Sequence, residues 1–456
     1  MESEKVINFK SLSENVGRFN LSNKIFLIPE MNRIGGHLLA GTFRGFGINA
    51  RVMDTYKGLE LGREYTSGKE CYPCQITTGD ILYCMKTEAE RLGDRFDPED
   101  YVYFMPEADG PCRFGMYNKY QRIVLDSFPD LKRLKIGSLT TGDGYSLNGI
   151  IAEERVRDLR KTAYLSQVVA DILDRLLWRI RPYEAEAGSA DQYIEAAMHR
   201  MEAAFETYGP KMEFDGILEE MDEVLKAAKA VVDPQIPRKP LIGIVGEIYL
   251  RTHVHANQDV IRVLEKYGAE VVNASVCEWM NYTSYDRLRE AKQGFWYSLR
   301  QLRPGAMKGF LKEMINYGGD LYYQQFRQKR TYKRARTLMD VAGDHQVGHL
   351  EDILQKEDLF CFDVGTEACL SISGIVAYAR EGYNGLVNVY PFTCMPSTIT
   401  SAIVKPLINR LKVPYLDTPY DSSFQPGREA SIRTFMYQAE QHFKRYGRKD
   451  GRHQSS

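Results

Sequence analysis

The chain predicts an α/β fold of two Rossmann-like domains, each a parallel sheet with helical insertions. Three observations carry that expectation. A strand–helix–strand phrase occurs near the start and returns more than two hundred residues later. In both copies a glutamate, Glu30 or Glu247, stands where the first strand ends, and glycine closes the helix that follows. Between the copies lie three long helical patterns, and then the stretch 233–240 with three prolines, which reads as a domain boundary.

Residues 1–23 are polar and read as a weakly ordered lead-in. The first domain covers 24–150, opening on the apolar strand 24–29. A helix through Leu38, Leu39 and Phe43 stops at Gly45 and Gly47, and 49–53 is the next strand. A helix is expected over 75–92. The run Tyr101, Val102, Tyr103, Phe104 and Met105 reads as a buried strand. Gly110 and Pro111 turn the chain, and a helix follows over 117–125, with Tyr117, Tyr120, Ile123 and Val124 on one face. The helical region 151–237 holds helices at 151–181, 190–208 and 218–232, the first with an apolar stripe from Val156 to Leu177.

The second domain covers 238–446. It repeats the phrase as strand 241–245, helix 257–267 and strand 270–273, and then carries a helical insert, 283–358, rich in Tyr, Arg and Lys. The α/β pattern resumes with a strand at 359–362, a helix at 371–380, a strand at 385–390, a helix at 398–411 and a strand at 413–417. An amphipathic helix at 431–446 closes the domain, and the charged tail 447–456 reads as frayed.

At 456 residues the chain exceeds one ordinary core. Its 43% hydrophobic and 27% charged residues are globular values. A net charge of −1 gives no reason to expect nucleic acid or an anionic membrane as partner. The polar N-terminus lacks the apolar segment of a secretion signal, and no run approaches the roughly 20 apolar residues of a membrane span. The cytoplasm is the expected location. There the eight cysteines are core thiols, metal ligands or redox thiols rather than structural disulfides. Cys84 and Cys277 lie within apolar runs and read as core residues.

Four other cysteines have a distinct setting. Cys112 follows a strand and Gly110-Pro111, and precedes a helix, where free N–H groups and the helix dipole favour a thiolate. Cys71 and Cys74, in Cys71-Tyr72-Pro73-Cys74, precede the helix at 75–92, and Cys394 sits in Pro391-Phe392-Thr393-Cys394-Met395-Pro396. In open α/β sheets ligands lie beyond the carboxyl ends of the strands, so loops of two facing domains can meet in a cleft. Thiolates select iron–sulfur clusters or zinc. Zinc ordinarily takes neighbouring Cys pairs, and here only one such pair exists. A cluster between domains is one reading. A redox pair at Cys71 and Cys74, with ordinary thiols at Cys112 and Cys394, is the other, and these residues alone leave both open.

Further candidates are weaker. His253 and His255 flank Val254 in a loop, where loop polarity is the commoner role than metal binding. Glu30, Glu247 and Glu367 suit acid–base work or helix capping. The basic run 328–336 reads first as a solvated helix face, and second as a phosphate or docking surface. The turn-rich stretch 142–146 lacks the Gly-Lys-Ser/Thr of a phosphate loop.

Gly68-Lys69-Glu70-Cys71-Tyr72-Pro73, Gly110-Pro111-Cys112-Arg113-Phe114-Gly115, Val245-Gly246-Glu247-Ile248-Tyr249 and Pro391-Phe392-Thr393-Cys394-Met395-Pro396 resemble the family related to 2-hydroxyacyl-CoA dehydratase and its activase. The wider superfamily includes benzoyl-CoA reductases and double-cubane cluster proteins, and the resemblance spans about 24–443. It implies a [4Fe–4S] cluster held by Cys71, Cys112 and Cys394, with Cys74 as candidate fourth ligand. Cys361 and Cys369 would join in a double-cubane arrangement. It implies electron supply from a separate ATP-dependent activase, and reduction or dehydration of a substrate that is CoA-linked in the relatives. A homodimer or a related subunit is the further partner class. Two other readings stand beside it: a non-catalytic accessory subunit, and a nucleotide-binding protein of the sugar kinase/Hsp70/actin type, whose phosphate motifs are missing here.

Overall fold

The computed structural model describes residues 9–108, 110–140 and 147–448. Asp109, the turn-rich stretch 142–146, the first eight residues and most of the 447–456 tail fall outside them. Among the described residues nine strands form two sheets, and the pairings within each sheet are parallel. The first sheet contains β1 (Val16–Gly17), β2 (Ile25–Ile28), β3 (Asn49–Val52), β4 (Tyr101–Phe104) and β5 (Lys135–Gly137), ordered β1-β5-β4-β2-β3. The second contains β6 (Leu241–Gly246), β7 (Glu270–Asn273), β8 (Gly385–Pro391) and β9 (Tyr415–Tyr420), ordered β7-β6-β8-β9. Without the edge strand β1, both sheets run second, first, third, fourth along the chain. The repeated phrase in the sequence is therefore a repeated topology, and in each sheet the strand order reverses between the first and third strands.

Alternation along the strands feeds an apolar layer on each face, as parallel sheets require. Leu27, Tyr101, Tyr103 and Ile136 pack on one side of the first sheet, and Phe26, Ile28, Ala50 and Val102 on the other. In the second sheet Leu241, Val245 and Leu386 face one side, and Ile242, Ile244, Val387 and Val389 the other. Helix Arg33–Gly45 begins at Asn32, whose side chain accepts from Gly35 N. In the second sheet the strands approach so closely that a Cβ on Gly246, at φ +123, would lie 2.0 Å from Val389 O.

The helical region is organised by one long helix, Glu153–Ile180, which joins the apolar layer of the first sheet through Val156 and Leu159 and packs on β7 of the second. Asp174 accepts from Asn32 Nδ2 at 2.7 Å, at the end of β2. Asp171 accepts from Val276 N and Cys277 N at 3.0 and 2.9 Å, completing the N-terminus of helix Val276–Arg300 that Ser275 also caps. Arg175 is fully buried, pairs with Asp344, and donates to Tyr332 Oη at 3.0 Å, Ala342 O at 2.9 Å and Asn273 O at 3.5 Å. No helix among the described residues is long and apolar enough to cross a membrane.

The fold differs from the sequence expectation in four places. Part of the lead-in is regular structure: helix Phe9–Asn15 runs into β1, which pairs with β5. The run 359–362 is not a strand. Leu359 N donates back to Leu354 O, and Phe362 turns inward between Tyr282 and Tyr285 with Arg289 over its ring. In helix Tyr117–Asp126, Ile123 is 44% exposed. Arg122 takes the buried side instead, donating to the carbonyls of Leu134 and Leu131 before β5. The tail begins anchored, because Arg448 pairs with Glu270. The basic run is a helix face as expected. Gln328, Thr331, Tyr332 and Ala335 are buried, Arg334 pairs with Asp222, and Lys329, Arg330 and Lys333 face solvent.

Removing the buried cation should strand its acidic partners. Arg175→Met is expected to cost about 3–5 kcal/mol, because Asp344 and Asp171 would remain buried without it. A change at the exposed Arg63–Glu60 pair should stay within about 0.5 kcal/mol. Chemical denaturation midpoints of the two variants check the contrast, and equal midpoints would count against Arg175 as the structural pin.

Candidate functional site

Loops from the carboxyl ends of both sheets meet, and the cysteines lie in three of them. Cys112 follows β4 and precedes the 3-10 turn Arg113–Met116. Cys394 follows β8 and is the N-cap residue of helix Met395–Leu411. Cys71 stands in front of helix Tyr72–Leu92. Two further contacts join the same ends. Thr55 Oγ1 lies 2.8 Å from His253 Nε2, and Thr252 Oγ1 donates to Met31 O at 3.4 Å.

Arg113 ties the three cysteine loops together. Its Nη1 donates to Lys69 O at 2.6 Å, two residues before Cys71. Its Nη2 donates to Thr393 O at 2.9 Å and to Thr393 Oγ1 at 3.3 Å, one residue before Cys394. The residue next to Cys112 thus binds the backbone of both other cysteine loops, one on each sheet's side. Gly110 closes the same seam, since a Cβ there would meet Gly365 O at 3.1 Å.

The backbone at two of these loops is strained. Cys71 has φ +109 and ψ 145, a region that is nearly exclusive to glycine and costs about 1–3 kcal/mol for other residues. Thr393, directly before Cys394, has φ +66. A side chain is kept at position 71 where glycine would be easier, which points to a use for its sulfur.

Two carboxylates sit among the thiols. Glu247 ends β6, and accepts from Tyr249 N at 3.2 Å and Leu250 N at 2.9 Å. Glu367 accepts from Ile248 N at 3.1 Å. Both therefore cap the short helix Ile248–Thr252, and Arg251 behind them donates to Gly246 O and Ser275 O. Desolvation, and then the charge of Glu247, pushes Glu367 up to about 8, and desolvation also raises Glu247. The sulfurs of Cys71, Cys112 and Cys394 all feel the charge of Glu247.

Those surroundings disfavour free thiolates, contrary to the expectation at Cys112. Burial, then Glu247, pushes Cys71 up to about 11, against a hydrogen bond from Tyr117 and the charge of Arg113. Cys112 keeps an exposed edge, yet desolvation and then Glu367 push it up to about 12, outweighing the Phe114 N–H. Cys394 is raised further, by burial first, despite bonds from Ser397. The helix-end N–H groups are present as the sequence implied, but burial and two nearby carboxylates outweigh them.

The remaining cysteines lie outside those three loops. Cys74 is fully buried in the core under the first sheet, its sulfur 3.9 Å from Thr78 Oγ1, with Cys71 as neighbour. Cys369 is buried, with its S–H directed at the carbonyls of Cys361 and Phe362, and Cys361 is exposed. Cys277 is in the core and Cys84 is half-buried. His253 is buried and neutral: burial holds it down at about 3, and its Nδ1 accepts from Ala256 N. It therefore serves the seam between the sheets. Sequence reasoning missed Arg113's bridging role, which no spacing encodes, although its position beside Cys112 was visible.

Among the described residues, the only three or more Cys, His, Asp or Glu ligand atoms all within 4.8 Å of one another are those of His37, His199 and Glu202. Cys71, Cys112 and Cys394 are thus spread more widely than a single zinc ion would hold them, since tetrahedral Zn–S bonds put sulfurs about 3.8 Å apart. No protein-family model matches the chain, and no curated protein matches it.

Two outcomes test this geometry. Cys71→Gly and Cys71→Ala both delete the sulfur. The glycine variant should be the more stable by about 1–2 kcal/mol, the reverse of the usual order, because only glycine relaxes at φ +109. A more stable alanine variant would remove the case for strain. In the metal-free chain the folded state keeps a proton on Glu367 that the unfolded state has lost between pH 4.5 and about 8. Stability should therefore fall as pH rises through that window. Glu367→Gln should lack that fall, and parallel pH–stability curves would show that Glu367 ionises normally.

Proposed function

We propose that Cys71, Cys112 and Cys394 hold a [4Fe–4S] cluster in the cleft between two Rossmann-like domains. In this reading the chain is an iron–sulfur protein that accepts low-potential electrons from an ATP-dependent activase, for reduction or dehydration of a substrate. The observation that carries the reading is Arg113, whose guanidinium binds the backbone of the Cys71 and Cys394 loops from its place beside Cys112. That fastening joins three loops that each carry one soft donor, which supports a shared thiolate-ligated guest.

The donor set fits a cluster on two further counts. The sulfurs are too dispersed for one ion, whereas in a polynuclear cluster each thiolate binds a different iron. Arg113 is the positive charge beside the thiols, and it does not offset their burial. Three thiols and two carboxylates are all held above their ordinary values, so a cationic guest would release protons and satisfy them together. Such a cluster, when bound, supplies one-electron chemistry whose potential is tuned by burial, charge and hydrogen bonds.

The chain's own residues would act as follows. Tyr117 donates to the Cys71 sulfur, and Arg113 puts a fixed positive charge beside the thiolates. Burial of Cys71 and Cys394 keeps water from two of the three sulfurs. Before a guest binds, burial and Glu247 keep a proton on Glu367, near Cys112 and Cys394, and that proton would leave as the guest enters. Cys71, Cys112 and Cys394 would hold the cluster, which would supply one-electron chemistry to a substrate in the cleft. Cys74, enclosed beside Thr78, is assigned to the core, and Cys361 and Cys369 to the second sheet's periphery.

Anaerobic purification followed by iron and acid-labile sulfide analysis tests the reading. About four irons per chain are expected, as one cubane requires. Cys112→Ala and Cys394→Ala should lose them, and Cys74→Ala should keep them. A protein that stays free of iron after anaerobic reconstitution would overturn the proposal, and about eight irons would replace it with a double cubane.

A further inference from the structure

Helix Arg33–Gly45 follows β2, and helix Ser189–Tyr208 belongs to the helical region. The two cross almost backbone to backbone. A Cβ on Gly41 would lie 2.6 Å from Glu202 O, and one on Gly45 would lie 2.6 Å from Glu206 O. One turn before Gly41, that approach brings His37 against His199 and Glu202.

We propose that His37, His199 and Glu202 form a separate transition-metal site that takes one divalent zinc ion and staples these two helices. His37 Nδ1 and His199 Nδ1 lie 3.2 and 3.3 Å from the same oxygen, Glu202 Oε2. Tetrahedral zinc with bonds near 2.0–2.1 Å sets its ligand atoms about 3.3 Å apart, so two edges of the coordination figure are already in place. All three ligand atoms lie within 4.8 Å of one another. Imidazole and carboxylate together suit zinc among the available ions.

The surrounding residues orient the ligands in the manner of metal sites. Arg44 Nη2 donates to Glu202 Oε1 at 2.9 Å, which leaves Oε2 facing the two rings. His199 turns its second nitrogen to Glu195 Oε1, 3.4 Å away, and Arg33 fixes Glu195 from the far side. A carboxylate behind a ligating histidine fixes its tautomer and raises its basicity. His199 is 55% exposed, so the fourth position opens to solvent and a water can complete the tetrahedron.

The site is independent of the cysteine loops, and its test keeps the two apart. The full-length protein is dialysed against micromolar Zn2+, and retained zinc is measured by atomic absorption for wild type, Cys112→Ala, His37→Ala and His199→Ala. One equivalent should survive in Cys112→Ala and disappear in both histidine variants. Glu195→Gln should weaken binding by about tenfold or more. Thermal unfolding of Cys112→Ala should shift upward with added zinc, and that of the Cys112→Ala/His199→Ala double variant should not. Zinc retained equally by His199→Ala, or none retained by wild type, would overturn the proposal and leave a polar helix–helix contact only.

Discussion

A buried cation cannot go unpaired, and Arg175 is buried near the C-terminal end of the helix that packs on the layers of both sheets. Its needs are met from three directions: Tyr332 on helix Pro304–Leu338, Ala342 and Asp344 just after that helix, and Asn273 at the end of β7. One turn earlier, Asp171 completes the N-terminus of helix Val276–Arg300. The neighbouring Asp174 holds Asn32, which itself caps the helix after β2. One helix therefore grips the carboxyl end of a strand in each sheet. The loops that follow those strands are brought face to face as a consequence.

The site inherits its geometry from that arrangement and its chemistry from the lack of water. In each sheet the strand order reverses between the first and third strands, β2 and β4 or β6 and β8. The loops after these strands carry Glu30, Cys112, Glu247 and Cys394. Ligand sites of open α/β sheets occur at such reversals because the loops diverge there and leave room. Arg113 draws three loops together across the seam, and the carboxylates beside them raise the cost of every additional negative charge. Burial, which disfavours thiolates in the metal-free chain, is the same property that would poise a bound cluster at low potential.

Much of the fold was legible because it rests on local pattern. The strands β2, β3, β4, β6, β7 and β8 are apolar runs bounded by Gly, Pro or polar residues, and each appears within a residue or two of expectation. The shortest strands were not legible: β1 has two residues and β5 three, too short for a period to show. Residues 359–362 have strand composition, but Phe362 is worth more as a plug between Tyr282 and Tyr285 than as a rung of a ladder. Ile123 was assigned inward on apolar character, and the carbonyls before β5 reversed it by requiring Arg122.

By itself the sequence determined that the chain is α/β, that its two halves repeat one phrase, and that Cys71, Cys112 and Cys394 lie at helix starts. These properties depend on neighbours in the chain, through periodicity, turn residues and caps. Only the tertiary structure decided which cysteines come together and in what electrostatic setting. It gathered Cys71, Cys112 and Cys394 about Glu247 and buried Cys74 beneath them. It also brought His37 to His199 across 162 residues of chain, through helices whose glycines allow close contact. Distances of that kind are set by packing between elements far apart in the chain, and no local spacing encodes them.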